Sequence, residues 1–97
     1  MNKKVYISGP ISGYDIDERK KVFHNAEKLI LSKGYTPVNP LKNGLSKKDI
    51  YEDQMKVDIK KLIDCDYIYL LPKWYQSKGA TLEFDIADSC GIEILII

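Results

Sequence analysis

Residues 58–71 read DIKKLIDCDYIYLL. The stretch carries the end of one element and the whole of the next. Apolar residues at Tyr51, Met55, Ile59, Leu62 and Ile63 fall along one side of a helix, which the spacing predicts over about 48–63. Residues 67–71 (YIYLL) then form an unbroken apolar run, the pattern of a strand covered on both faces, and Pro72 stops it. A helix leading into a doubly covered strand is the repeating unit of a parallel sheet.

The same unit recurs on either side. Residues 4–8 (KVYIS) are a short apolar strand stopped by Gly9-Pro10. Val22, Phe23, Ala26, Leu29 and Ile30 repeat at helical spacing within about 17–33. Asp15, three residues before Glu18, resembles a capping box, and Gly34 closes the helix. Residues 35–38 are a second strand ended by Asn39-Pro40, and 42–47 read as a polar loop. A third helix is predicted over about 79–90 and a last strand over 93–97, EILII. The order β-α-β-α-β-α-β predicts a parallel sheet with helices packed on it and right-handed crossovers. Neither repeat nor linker divides the chain, so its 97 residues are read as a single domain, 1–97.

Composition narrows the function classes. Hydrophobic residues are 44% and charged residues 30%, as in globular domains. A net charge of +1 gives no reason to expect a nucleic-acid partner. No apolar run is long enough to span a bilayer, and MNKKVYISGP has no signal-peptide core, so no membrane association and a cytoplasmic location are expected. Cys65 and Cys90 are isolated, with neither a CxxC nor metal-ligand spacing; both are read as reduced, buried thiols, and no metal and no cofactor are expected. A domain this small leaves much of its surface exposed, so a partner chain, a homodimer, is predicted.

In parallel sheets ligands sit beyond the carboxyl ends of the strands. Those ends carry Ser8, Gly9, Pro10, Ile11, Ser12 and Gly13 after the first strand, Asn39-Pro40 after the second, and PKWYQSKGA after the third. One crevice lined by all three turns is therefore predicted. The third helix adds a carboxylate to it. With Ala80 at zero and about 100° per residue, the apolar arc from Leu82 to Phe84 centres at roughly 300°, and Glu83 falls at the same angle. Asp85, Asp88 and Ser89 fall on the opposite side. Two readings stand for Glu83: a first-turn acid reaching round to solvent and favouring the helix dipole, or a carboxylate facing the crevice. Ser77 and Gly79 at the same helix start, with its unpaired N–H groups, suit an anion; Ser before Gly is also a common cap.

Other residues carry two readings as well. Asp58 borders the apolar arc of the second helix, whereas Asp53, Lys56, Lys60 and Lys61 point away and Glu52 falls near the arc. Arg19 faces inward in the first turn of the first helix, to meet a bound anion or to pair with an acid. Trp74 and Tyr75 stack on a flat ligand or seal the sheet edge, and His24 lies on a polar face and is read as solvated.

Four motifs together resemble the nucleoside 2-deoxyribosyltransferase-like superfamily: YISGPISG at 6–13, VNP at 38–40, DIKKLIDCDYIYLL at 58–71 and WYQSKGATLEFDIADSCG at 74–91. Order and spacing agree over nearly the whole chain, most closely with short bacterial and phage members of unassigned function. The resemblance implies a flavodoxin-like (Rossmann-like), doubly wound α/β domain of about four parallel strands with helices on both faces. It implies cleavage of the N-glycosidic bond of a nucleoside or nucleotide, by transfer of deoxyribose in one branch and hydrolysis of deoxynucleoside 5′-monophosphates in another. The family's nucleophile matches Glu83, its proton donor or substrate orienter matches Asp58, and its first-strand tyrosine matches Tyr6. The phosphate contacts of the nucleotide branch match Ser77 and Gly79, and its substrate-lining turn matches Gly9 to Gly13.

This sequence departs from the pattern in two places. Ser12 stands where the nucleotide branch commonly has arginine. The transferase branch completes its site with polar residues from a neighbour's C-terminus, which EILII does not provide, so free-nucleoside transfer is the less expected reaction. The predicted ligand is a small-molecule nucleotide or nucleoside, cleaved at its glycosidic bond or, as the alternative, bound without turnover by a nucleotide sensor or sponge. A redox or dinucleotide-binding domain is opposed by the lack of GxGxxG spacing and of CxxC.

Overall fold

The computed structural model describes residues 2–42 and 50–97. Four strands, β1 (Lys4–Ser8), β2 (Thr36–Val38), β3 (Tyr67–Leu70) and β4 (Glu93–Ile94), alternate with three helices, α1 (Ile16–Ser32), α2 (Tyr51–Ile63) and α3 (Lys78–Ser89). The strands form one sheet in the order β2-β1-β3-β4, and every pair is parallel. The chain winds outward from β1 to β2, then crosses back over β1 to β3 and β4. This is the flavodoxin-like, doubly wound order, and it puts the topological switch point between β1 and β3.

The period-two alternation of β1 divides the molecule. Val5 and Ile7 face α1 and pack with Phe23, Ala26 and Ile30 in one core cluster. Tyr6 faces the opposite layer, where Leu62 of α2, Ile68 of β3 and Ala87 of α3 form a second cluster. Ser8 follows Tyr6 onto that side and is fully buried. The two hydroxyls of β1 thus lie under α2 and α3, and the two aliphatic side chains lie under α1.

Element boundaries follow the periodicity to within a residue or two, with informative exceptions. Asp15 is the N-cap of α1 but makes no side-chain capping bond, so the capping box does not form. The predicted start of α2 at 48–49 and most of the polar loop, 43–47, lie outside the described residues; α2 is described from Tyr51, and Lys42 closes a short 3-10 turn, Pro40–Lys42. β4 ends at Ile94 rather than 97 because it pairs only with Tyr67 and Ile68 of β3. Cys65 is buried, but Cys90 is exposed, a correction to the expectation of two buried thiols. Cys90 caps the C-terminus of α3, past the last turn that rests on the sheet, and Gly91 then turns the chain at φ 72°. No helix among the described residues is long and apolar enough to cross a membrane.

Candidate active site

The turn before α3 sets where the helix begins. A short 3-10 turn, Trp74–Gln76, leads into Ser77, whose hydroxyl accepts from the Ala80 N–H at 3.2 Å. The Thr81 hydroxyl donates back to the Ser77 carbonyl at 2.7 Å. From that start, Ala80, Glu83 and Ala87 fall on the buried stripe of α3. Two alanines let the helix lie close to the sheet, and Glu83 between them has nowhere to go but inward.

Its carboxylate meets the hydroxyls of β1. Tyr6 donates to Oε2 at 2.6 Å and Ser8 donates to Oε1 at 2.7 Å, and both donors are fully buried. Among the described residues each oxygen has one donor, and Glu83 is 6% exposed. Burial pushes its pKa up to about 7; the Tyr6 and Ser8 bonds pull it down and the charge of Asp58 pushes it up further. The Tyr6 phenol is itself driven far above its usual range, first by burial and then by the charge of Glu83. It stays protonated and acts as a fixed donor.

The open side of Glu83 faces a cavity of about 400 Å³. The cavity lies beyond the carboxyl ends of β1 and β3, at the switch point. Its walls are the turn after β1 (Gly9, Pro10, Ile11, Ser12 and Tyr14), Pro40, the face of α2 carrying Tyr51, Gln54, Met55 and Asp58, and the α3 start from Gln76 to Ala80. Gly9 is required by packing: a Cβ there would lie 2.7 Å from the Cβ of Leu71. Gly79 is tight as well, since its Cβ would lie 3.3 Å from the Tyr51 hydroxyl and 3.4 Å from the Met55 sulfur. The space above Gly79 is therefore partly filled by α2 side chains.

The structure brings most of the sequence-predicted residues together. Glu83, Asp58, Gly9, Pro10, Ile11, Ser12, Ser77 and Gly79 line the cavity, and Tyr6 and Ser8 hold the carboxylate from below. Asp58 is 7% exposed. Gly13 does not line the cavity; it turns the chain at φ 83°. Asn39 is not brought to it either. Its Oδ1 accepts from the Leu41 N–H at 2.9 Å, closing a local turn that aims the side chain away, and its neighbour Pro40 takes the wall position.

Arg19 is buried but pairs with Glu18 and donates to the Pro10 carbonyl at 3.2 Å. Trp74 packs on Phe84, with ring centroids 4.9 Å apart, Tyr75 is exposed, and neither lines the cavity. His24 is exposed, as read. Sequence reasoning missed Tyr14, Tyr51, Gln54 and Met55 as wall residues. Positions 51, 54, 55 and 58 share one helical face, so the periodicity that flagged Asp58 carried a signal for Gln54; Tyr51 and Met55 were indistinguishable from core.

A family described as "Domain of unknown function (DUF4406)" matches residues 3–96. Two solved structures share the fold. A 2-deoxyribosyltransferase from the psychrotolerant bacterium Bacillus psychrosaccharolyticus is 21% identical with a TM-score of 0.73, over 94% of this chain and 69% of that one. A 2-desoxiribosyltransferase from Leishmania mexicana is 22% identical with a TM-score of 0.72, over 96% of this chain and 62% of that one. The chain thus spans less than two thirds of the Leishmania protein. No curated protein matches this sequence.

Proposed function

The chain belongs to the DUF4406 family, and from that premise and the geometry of the cavity we propose that it cleaves the N-glycosidic bond of a deoxynucleoside 5′-monophosphate with Glu83 as nucleophile. The observation that carries this reading is a buried carboxylate at the floor of a cavity of about 400 Å³, each oxygen fixed by a hydroxyl from β1. In the ionised state Glu83 attacks the anomeric carbon from one face while the base leaves from the other through an oxocarbenium-like state. The C–N electron pair goes to the base, which Asp58 protonates or orients. The resulting glycosyl ester is released to water or, in transfer, to a second base. Tyr6 and Ser8 keep the carboxylate aimed and favour its charged form. The 5′-phosphate is assigned to the α3 start, where Ser77 retains a hydroxyl proton to donate and backbone N–H groups carry the positive end of the helix dipole.

The test is a panel of deoxynucleoside monophosphates assayed for free base with wild type and Glu83→Ala in parallel. Release by wild type alone is the expected result, and no release from any nucleotide by folded protein overturns the reading. The alternative, a nucleotide-binding protein without turnover, is favoured by the burial of Glu83, which raises its pKa to about 7 and so disfavours the charged form that a nucleophile needs. It predicts nucleotide binding that survives Glu83→Gln with no base released. We further propose a homodimer, supported by exposed Ile94, Ile96 and Ile97 at the β4 edge of the sheet.

A further inference from the structure

We propose that Tyr14, braced by Arg19, is the platform on which the planar base of the substrate stacks; this deepens the nucleotide reading above and rests on it. A flat heteroaromatic ligand needs a π surface in its site. Trp74 and Tyr75 do not supply it, since neither lines the cavity. Among the described residues, the aromatic side chains in its wall are Tyr14 and Tyr51.

Their surroundings separate them. Tyr51 stands at the α3 start: its hydroxyl lies against Gly79, and the Lys78 ammonium sits 5.8 Å from its ring centroid. That is the end assigned to the phosphate. In a nucleoside 5′-monophosphate the base on C1′ and the phosphate-bearing C5′ share one face of the sugar and diverge from the two carbons that flank its ring oxygen. With the anomeric carbon over Glu83 and the phosphate near Ser77, the base extends toward the turn after β1, where Tyr14 is.

Tyr14 is also prepared for the task. The Arg19 guanidinium carbon lies 4.7 Å from its ring centroid. Arg19 is 9% exposed and anchored by the Pro10 carbonyl and Glu18, so the cation backs one ring face from a fixed position. The Tyr14 N–H closes the turn on the Ile11 carbonyl at 3.3 Å. Tyr14 is 39% exposed and lines the cavity, which leaves a ring face to offer. A ring already ordered this way gives up little side-chain entropy when a base stacks on it. Arg19 is a positioning residue in this arrangement.

The experiment is calorimetric titration of folded wild type, Tyr14→Ala, Tyr14→Phe and Arg19→Lys with the deoxynucleoside monophosphates and, as a ligand without a base, 2-deoxyribose 5-phosphate. We expect Tyr14→Ala to weaken nucleotide binding about 10- to 100-fold, Tyr14→Phe to stay within about twofold, and Arg19→Lys to fall between them. All four proteins should bind the sugar phosphate equally. A purely structural role would weaken both ligands in parallel, and that outcome overturns the proposal, as do wild-type nucleotide affinity in Tyr14→Ala and a wild type that binds no nucleotide. Nucleotide binding that depends on Tyr14 without any base release leaves the platform standing and removes the glycosidase reading. Base release that is indifferent to Tyr14→Ala does the reverse.

Discussion

Two influences oppose each other at Glu83, and burial, which favours the protonated acid, outweighs the hydroxyls of Tyr6 and Ser8, which favour the carboxylate, so its pKa is raised to about 7. A nucleophile needs the charged form, so base release should rise with pH through about 7. Tyr6→Phe removes one bond to the charged form and should move the midpoint of that profile upward, lowering the rate at pH 7 about tenfold; a midpoint that stays put counts against the assignment. Stability carries the same signature. The folded-state pKa of Glu83 is raised from 4.5 to about 7, so its contribution is complete below pH 4.5 and is lost as pH rises through 7. Relative to Glu83→Gln, wild type should therefore lose about 3 kcal/mol of stability across that window. Urea unfolding of both proteins at the two ends of the window measures the difference, and a gap independent of pH contradicts it. Glu83 was legible from sequence because a single acid lay in the middle of an apolar arc. Its two donors were not legible by that route, since Tyr6 and Ser8 look like any strand residues until the strand is laid under α3; the resemblance pointed to Tyr6 and only the fold paired Ser8 with the carboxylate.

At the scale of the element, the site depends on how closely the turns approach one another. Gly9 ends β1 against Leu71, the residue that follows β3, and the obstructing atom is the Cβ of Leu71, which no rotamer moves. Gly9→Ala should therefore destabilise the protein by about 1–3 kcal/mol and displace the turn that lines the cavity. Thermal denaturation with a nucleotide titration reads both effects, and a variant with unchanged melting temperature and affinity contradicts the packing argument. The helical elements were legible because their apolar residues recur at a sharp period. Cys90 was misjudged because the wheel assigns an angle but not the point where a helix runs past the sheet. Asn39 was misjudged because a side chain at a strand end has a local competitor for its hydrogen bond, here the Leu41 N–H, that periodicity does not register.

At the scale of the molecule, the topology was readable almost completely, since alternating strands and helices with doubly covered apolar runs admit few arrangements. The edges were not. β4 is two residues long, and Ile96 beyond it is 89% exposed. If that edge joins two copies, sedimentation equilibrium should return about twice 11.1 kDa for wild type and the single mass for Ile96→Lys; a monomeric wild type ends the proposal. The alternation of β1 has a further consequence for how such a chain can evolve. Val5 and Ile7 serve one layer, and Tyr6 and Ser8 serve the other. Inserting or deleting a single residue within this strand would exchange the two sets, bringing aliphatic groups to the carboxylate and hydroxyls into the α1 core. Point substitutions can adjust the cavity and the turns can change length, but the reading frame of these five residues is shared by the core and the candidate site, and neither can drift without the other.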